Sequence, residues 1–184
     1  MRGCRRAVVD ADAGLGARRM PGGHAPSSRG LCRRVADMET GTSFRLHPAV
    51  ARSLATWHDM VARRDLGDLG SIVHPDAVFR SPMAFKPYES APALILVLNT
   101  VVTIFEGLAY HRSFVAADGL NVVLEFSAAV DGRQLKGIDM IRFDEDGLIV
   151  EFEVMIRPFN GLQALGARMG ERLGQLLPDF KAKG

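Results

Sequence analysis

Apolar residues return every three to four positions through HPAVARSLATWHDMVARRD, residues 47–65, where Val50, Leu54, Trp57 and Val61 form one stripe behind an early proline. That spacing predicts an amphipathic helix. LGDLGSIV, residues 66–73, reads as a second short helix, and HPDAVFRSP as a turn and a short strand ending at Pro82. Residues 90–105 mix two signals, because their β-branched residues suit a strand. Length, and the placement of Asn99, Thr103 and Glu106 on one narrow face, favour a helix. From about residue 108 the period changes to two. Four runs, 108–117, 120–130, 133–144 and 147–157, are separated by ADG, VDG and EDG, which predicts four consecutive antiparallel strands joined by hairpins. Leu162, Leu165, Met169, Leu173 and Leu176 then mark a final helix, with Gly166, Gly170 and Gly174 one turn apart beside the stripe. Glycine inside a helix costs about 1 kcal/mol relative to alanine, so the row predicts close packing unless this terminal helix is frayed.

Strand alternation also assigns faces. The inner faces are expected to hold Leu124, Phe126 and Ala128; Leu135, Asp139, Ile141 and Phe143; and Val150, Phe152, Val154 and Ile156. Glu151, Glu153 and Arg157 fall outside, where Arg80 or Arg157 can pair with the two glutamates. Asp139 is the anomaly, since in LKGIDMIRF its carboxyl shares a face with Leu135, Ile141 and Phe143 while Lys136 and Arg142 point the other way. A carboxyl there is either paired with a guanidinium, bonded to backbone N–H groups, or exposed to a hydrophobic pocket where desolvation raises its pKa.

Composition narrows the classes. Hydrophobic residues at 47% and charged residues at 24% are ordinary for a globular chain, and 184 residues suit one domain. The net charge of +2 conceals a basic segment: residues 1–37 carry eight Arg and three Asp, which leaves the remainder near −3. No basic stripe marks the body, so nucleic acid is not an expected partner. Residues 1–44, rich in Gly, Pro, Ser and Arg, are expected to be a disordered tail in which Met38 is an alternative start; 45–177 form one domain and 178–184 a short tail. The longest apolar run, ALILVLNTVV, is shorter than the roughly 18 residues a membrane span needs, so no membrane partner is expected. Cys4 and Cys32 lack metal or disulfide-framework spacing, and with no signal-like stretch the expected compartment is the cytoplasm.

No GxGxxG, P-loop, HExxH, GxSxG or EF-hand spacing occurs, and the histidines at 24, 47, 58, 74 and 111 show no ligand pairing, so neither cofactor nor metal is expected. Chemistry must come from scattered side chains meeting in a pocket. The order of elements, with HPDAVFRSP and KGIDMIRFDEDGLIVEFEVMIRP, resembles the NTF2-like fold, and within it the SnoaL-like proteins and ketosteroid isomerases, over about residues 47–176. The resemblance implies an α+β cone: a curved antiparallel sheet wrapped by N-terminal helices around a hydrophobic pocket, dimeric through the outer sheet face.

It also implies roles. GIDMIRFDEDG is similar to the isomerase segment whose neutral aspartic acid donates a hydrogen bond to a developing oxyanion, which assigns that role to Asp139. An ungapped match through Asp76, Ala77 and Pro82 sets Ser81 at the general-base position and Trp57 at the oxyanion-hole tyrosine. Serine near its usual pKa is a poor base, whereas an indole N–H still donates. Trp57, a large aromatic on the apolar stripe, reads first as a core residue and only second as a donor, and His58 beside it reads as solvated. His111 is the candidate for the missing base, although AYHRSFV shows no clean alternation to say which way it faces. Ser81, Leu124, Phe126, Ile141, Phe152 and Val154 are expected to line the pocket. The expected activity is acid–base isomerisation or cyclisation of an apolar carbonyl compound, polyketide- or steroid-like; the alternative is a non-catalytic module that binds a hydrophobic ligand or serves as a dimeric scaffold.

Overall fold

The computed structural model describes residues 45–173. The expected tails, Gly174 and Leu176 lie outside the described residues. Helix α1 (Pro48–Arg63) begins with its proline in the first turn, where a missing N–H costs nothing, and ends at Arg64, which takes the left-handed conformation at φ 56°. Ala49, Val50, Leu54, Trp57 and Met60 are its buried face. A 3₁₀ turn (Leu69–Ile72) replaces the expected second helix, because only one turn fits before strand β1 (Val73–Arg80) departs. Helix α2 (Ala91–Ile104) settles the mixed signal of its residues. Ser90 caps it, its Oγ accepting from Ala93 N–H at 3.3 Å, and tertiary burial of Leu94, Val97, Leu98 and Val102 outweighs β propensity.

Strands β2 (Glu106–Val115), β3 (Asn121–Val130), β4 (Arg133–Phe143) and β5 (Ile149–Arg157) follow as an antiparallel meander. Asp131 and Gly132 connect β3 to β4 with φ 50° and 72°, the pair of left-handed residues that a tight two-residue hairpin requires. The sheet order is β1-β5-β4-β3-β2, curved and not closed. One feature departs from the expected antiparallel sheet: β1 lies parallel to β5, because the chain crosses from β1 through α2 to the far edge before returning. A register shift between Arg142 and Phe143 in the β4–β5 pairing changes the inner face of β5 as well. Ile149, fully buried, takes the core position expected of Val150, since a bulge supplies one extra residue and reverses the alternation.

Helix α3 (Phe159–Leu173) closes the other end of the sheet with Ala164, Leu165 and Leu173 buried. Two apolar clusters result. The larger joins α1, α2 and the sheet; the smaller, with Phe105, Phe126, Leu135 and Leu165, lies under α3. Val101, Tyr110, Val154 and Met169 touch both clusters, and all four line a cavity on that seam. No described helix is long and apolar enough to cross a membrane.

Candidate functional site

Helix α1 turns Trp57 inward against Phe152 of β5, their ring centroids 5.4 Å apart. The indole Nε1–H donates to the hydroxyl of Tyr110 on β2 at 3.1 Å, and that hydroxyl donates to Oδ2 of Asp139 on β4 at 2.7 Å. The three groups form a directed relay, each donor polarising the next. Strand register makes it possible: Leu124 of β3 pairs with Asp139 and Phe126 with Tyr110, so β2 and β4 present their inward side chains on either side of β3.

Asp139 is 6% exposed, and no ion pair among the described residues involves it. Burial therefore decides its charge. Desolvation pushes its pKa up to about 7, and the Tyr110 bond pulls the other way without reversing the effect. Of the two anticipated ways to satisfy a buried carboxyl without a pocket, guanidinium pairing and backbone bonding, neither occurs among the described residues. Oδ2 is engaged by a phenol, and Oδ1 has no hydrogen-bond partner among the described residues. Tyr110 is held well above the ordinary phenol range, by burial first and then by the neighbouring carboxyl, so it stays a donor.

Beside this relay is an apolar cavity of about 230 Å³. Val101 and Val102 of α2, Phe126 and Phe152 of the sheet, and Leu165 and Gly166 of α3 form much of its wall. Its lining includes no Lys, Arg or His, so its chemistry suits a neutral apolar molecule with one hydrogen-bonding oxygen rather than an anion. Among the described residues no group of three His, Cys, Asp or Glu side chains is arranged to hold a metal.

Of the residues singled out from the sequence, the cavity brings together Asp139, Trp57, Ser81, Phe126, Phe152 and Val154. His111 is not among them. It stands exposed on the outer face with its Nε2 at 2.7 Å from Ser127 Oγ, because Tyr110 takes the inward position and its neighbour must face away. Leu124 and Ile141 are also corrected: both are fully buried among the apolar side chains of the larger core cluster and are not on the cavity wall. Ser81 Oγ accepts the backbone N–H of Met83 at 3.1 Å, which fixes the loop after β1. His58 is half-buried, not solvated: its ring lies 5.4 Å from that of Tyr110, its Nε2 is buried without a partner, and burial lowers its pKa.

Tyr110 is the residue that sequence reasoning missed. A register shift between Tyr110 and Ser113 breaks the period-two pattern of β2, so AYHRSFV shows no face. Pairing with the inward Phe126 is the signal that identifies it, and that pairing is tertiary.

A cone built from three helices on a curved five-stranded sheet, with a buried acid at an apolar cavity, defines a member of the NTF2-like superfamily. The chain belongs to the SnoaL-like family, whose domain model matches residues 54–152. Among solved structures, it is similar to a steroid Δ-isomerase from Pseudomonas aeruginosa, at 61% identity over 74% of this chain and 99% of that one, with a TM-score of 0.70. A cystatin-like-fold protein from Silicibacter pomeroyi matches at 29% identity, covering 72% of this chain and 89% of that one, with a TM-score of 0.63. An NTF2-like protein from Mesorhizobium loti shares the fold at 18% identity and a TM-score of 0.54, over 62% of this chain and 99% of that one. A search of curated proteins finds no match.

Proposed function

We propose that the protein is a cofactor-independent acid–base enzyme that isomerises or cyclises a neutral apolar carbonyl compound, steroid- or polyketide-like, with protonated Asp139 donating to the carbonyl oxygen. One observation carries the reading: a carboxyl buried beside an apolar cavity, with Oδ2 bonded by Tyr110 and no hydrogen bond to Oδ1 among the described residues. In the neutral acid the proton rides on Oδ1, while the Tyr110 hydroxyl bonds Oδ2 and Trp57 bonds Tyr110. As negative charge grows on the substrate oxygen, the Oδ1–H bond strengthens and the relay behind it is already oriented, which is stabilisation without reorganisation. Similarity to the Pseudomonas aeruginosa steroid Δ-isomerase supports the substrate class.

The experiment follows the single tryptophan, which lies in the relay itself. Its fluorescence is recorded while steroid enones and aromatic polyketide-like ketones are titrated, and conversion is followed by absorbance and product analysis. Turnover in the wild type and its loss in Asp139→Asn, with binding retained, is the expected result. Ser81 favours a second reading, a non-catalytic carrier, because its hydroxyl is engaged by Met83 N–H and, among the described residues, no His, Lys, Arg or second carboxyl lines the cavity. Binding without conversion in either protein selects the carrier.

The same proposal has the protein act as a homodimer in the cytoplasm. The outer sheet face offers the half-buried Ile138 and Met140 among charged neighbours, which supports self-association there.

A further inference from the structure

The cavity adjoins a second space. Ser81, Pro82, Met83, Val154 and Ile156 line it and also line a groove of about 650 Å³ on the surface, so the two spaces share one wall. The groove continues over Phe85, Met155 and Leu162. Phe85 is fully exposed, and Met83 and Met155 are about half exposed. Met83 crosses the junction. A Cβ placed on Gly166 would sit 2.5 Å from Met83 Cε, so the end of the thioether side chain rests against α3 at this glycine. A flexible, unbranched side chain at that point divides inside from outside without a rigid barrier.

Volume gives the second argument. Pockets that enclose a whole drug-sized ligand hold roughly 300–1,000 Å³. The enclosed part here, about 230 Å³, is smaller. Exposed apolar side chains clustered beside such a cavity, as Met83, Phe85 and Met155 are, mark a surface that is used.

We propose that the groove is a second subsite for the same ligand: the substrate is an elongated carbonyl compound whose ring-bearing head lies against Asp139 while an alkyl or polyketide-like tail leaves past Met83 and runs over Phe85 and Met155. This rests on the function proposed above and adds the shape of the substrate to it. The lining of the groove is mostly apolar; of its charged members Arg80, Lys86 and Glu153, Arg80 is already paired with Glu151. A long uncharged tail is therefore the occupant that loses least on entry.

The test uses 2-naphthyl alkyl ketones with methyl, propyl, hexyl and decyl chains, titrated against the full-length protein by Trp57 fluorescence. A methylene taken fully out of water is worth about fourfold in Kd, and a half-covered groove position about twofold. The expected result is a Kd that falls by about twofold per methylene beyond propyl, and a slope that flattens in Phe85→Ser/Met155→Ser. Both substituted side chains are exposed, so the variant is expected to fold. A Kd that stops improving or rises beyond propyl overturns the subsite. So does a wild-type slope that persists unchanged in the variant, or a variant whose loss of slope tracks dissociation of a dimer in sedimentation, since the groove is then covered by a second copy. Failure of even the methyl ketone and steroid enones to bind sinks the proposed function itself, whereas binding of the methyl ketone with no chain-length dependence sinks only this inference.

Discussion

Asp139 is the group whose ionisation the fold controls most strongly. Its folded pKa, about 7, lies above the roughly 3.9 of an aspartate in an unfolded chain. The folded state therefore holds the proton more tightly between those values, and stability falls as pH rises through that window; below it there is no penalty, and above it the penalty is complete at a few kcal/mol. Asp139→Asn removes the penalty while keeping an oxygen for Tyr110 to bond. The melting temperature of the variant minus that of the wild type should grow by roughly 5–10 °C from pH 5 to pH 8, read by scanning calorimetry. Activity should respond in the matching direction: if the neutral acid is the working form, kcat/KM falls tenfold per pH unit above about 7, and a rate that rises through 7 would mean the carboxylate is a base. Tyr110→Phe leaves Trp57 Nε1–H and Asp139 Oδ2 without partners, at a cost of about 1–3 kcal/mol in denaturant unfolding. Because the phenol bond lowers the Asp139 pKa, its removal should also shift the inflection of the pH–rate profile upward.

Among the elements, β3 and β4 set the depth of the site. Phe126 pairs with Gly137 across the two strands, and a Cβ on Gly137 would meet Phe126 Cζ at 2.4 Å and the Met155 carbonyl oxygen at 2.7 Å. The ring can move; the carbonyl belongs to the β5 backbone and cannot. Gly137→Ala should therefore cost roughly 1–3 kcal/mol in chemical denaturation and weaken ligand binding, since Phe126 forms part of the cavity wall. The element pattern was largely readable in advance: the three α-helices, the hairpins at Asp-Gly turns and the inward face of β4 all follow from local period and turn chemistry. What failed locally were the irregular places. The bulge between β4 and β5 moved Ile149 inward, and the irregularity in β2 hid Tyr110 and left the orientation of His111 open. An extra residue reverses every face beyond it, and nothing in the run itself announces where it falls.

For the whole molecule, the outer sheet face is the surface on which assembly is tested. Glu125 pairs with Arg112 and Lys136, and Glu151 with Arg80 and Arg142, so the face is a lattice of ion pairs around Ile138 and Met140. Exposed pairs of this kind contribute about 0–1 kcal/mol each, so self-association there must draw on the apolar centre. Ile138→Lys/Met140→Lys should convert a dimer to a monomer in sedimentation velocity while leaving the circular dichroism spectrum unchanged; a mass that does not change would remove the interface from this face.

The sequence by itself determined that helices precede an antiparallel meander, that the chain resembles an α+β cone, and that an acidic side chain lies on a buried strand face, because local period, turn residues and side-chain alternation are short-range properties. Only the tertiary structure decided that β1 joins the sheet in parallel, that Tyr110 and not an arginine meets Asp139, that His111 points away, and that Leu124 and Ile141 are packed under while Phe126 and Phe152 border a void. Each of those depends on which strands meet in which register, and register is set by contacts between residues far apart in the chain.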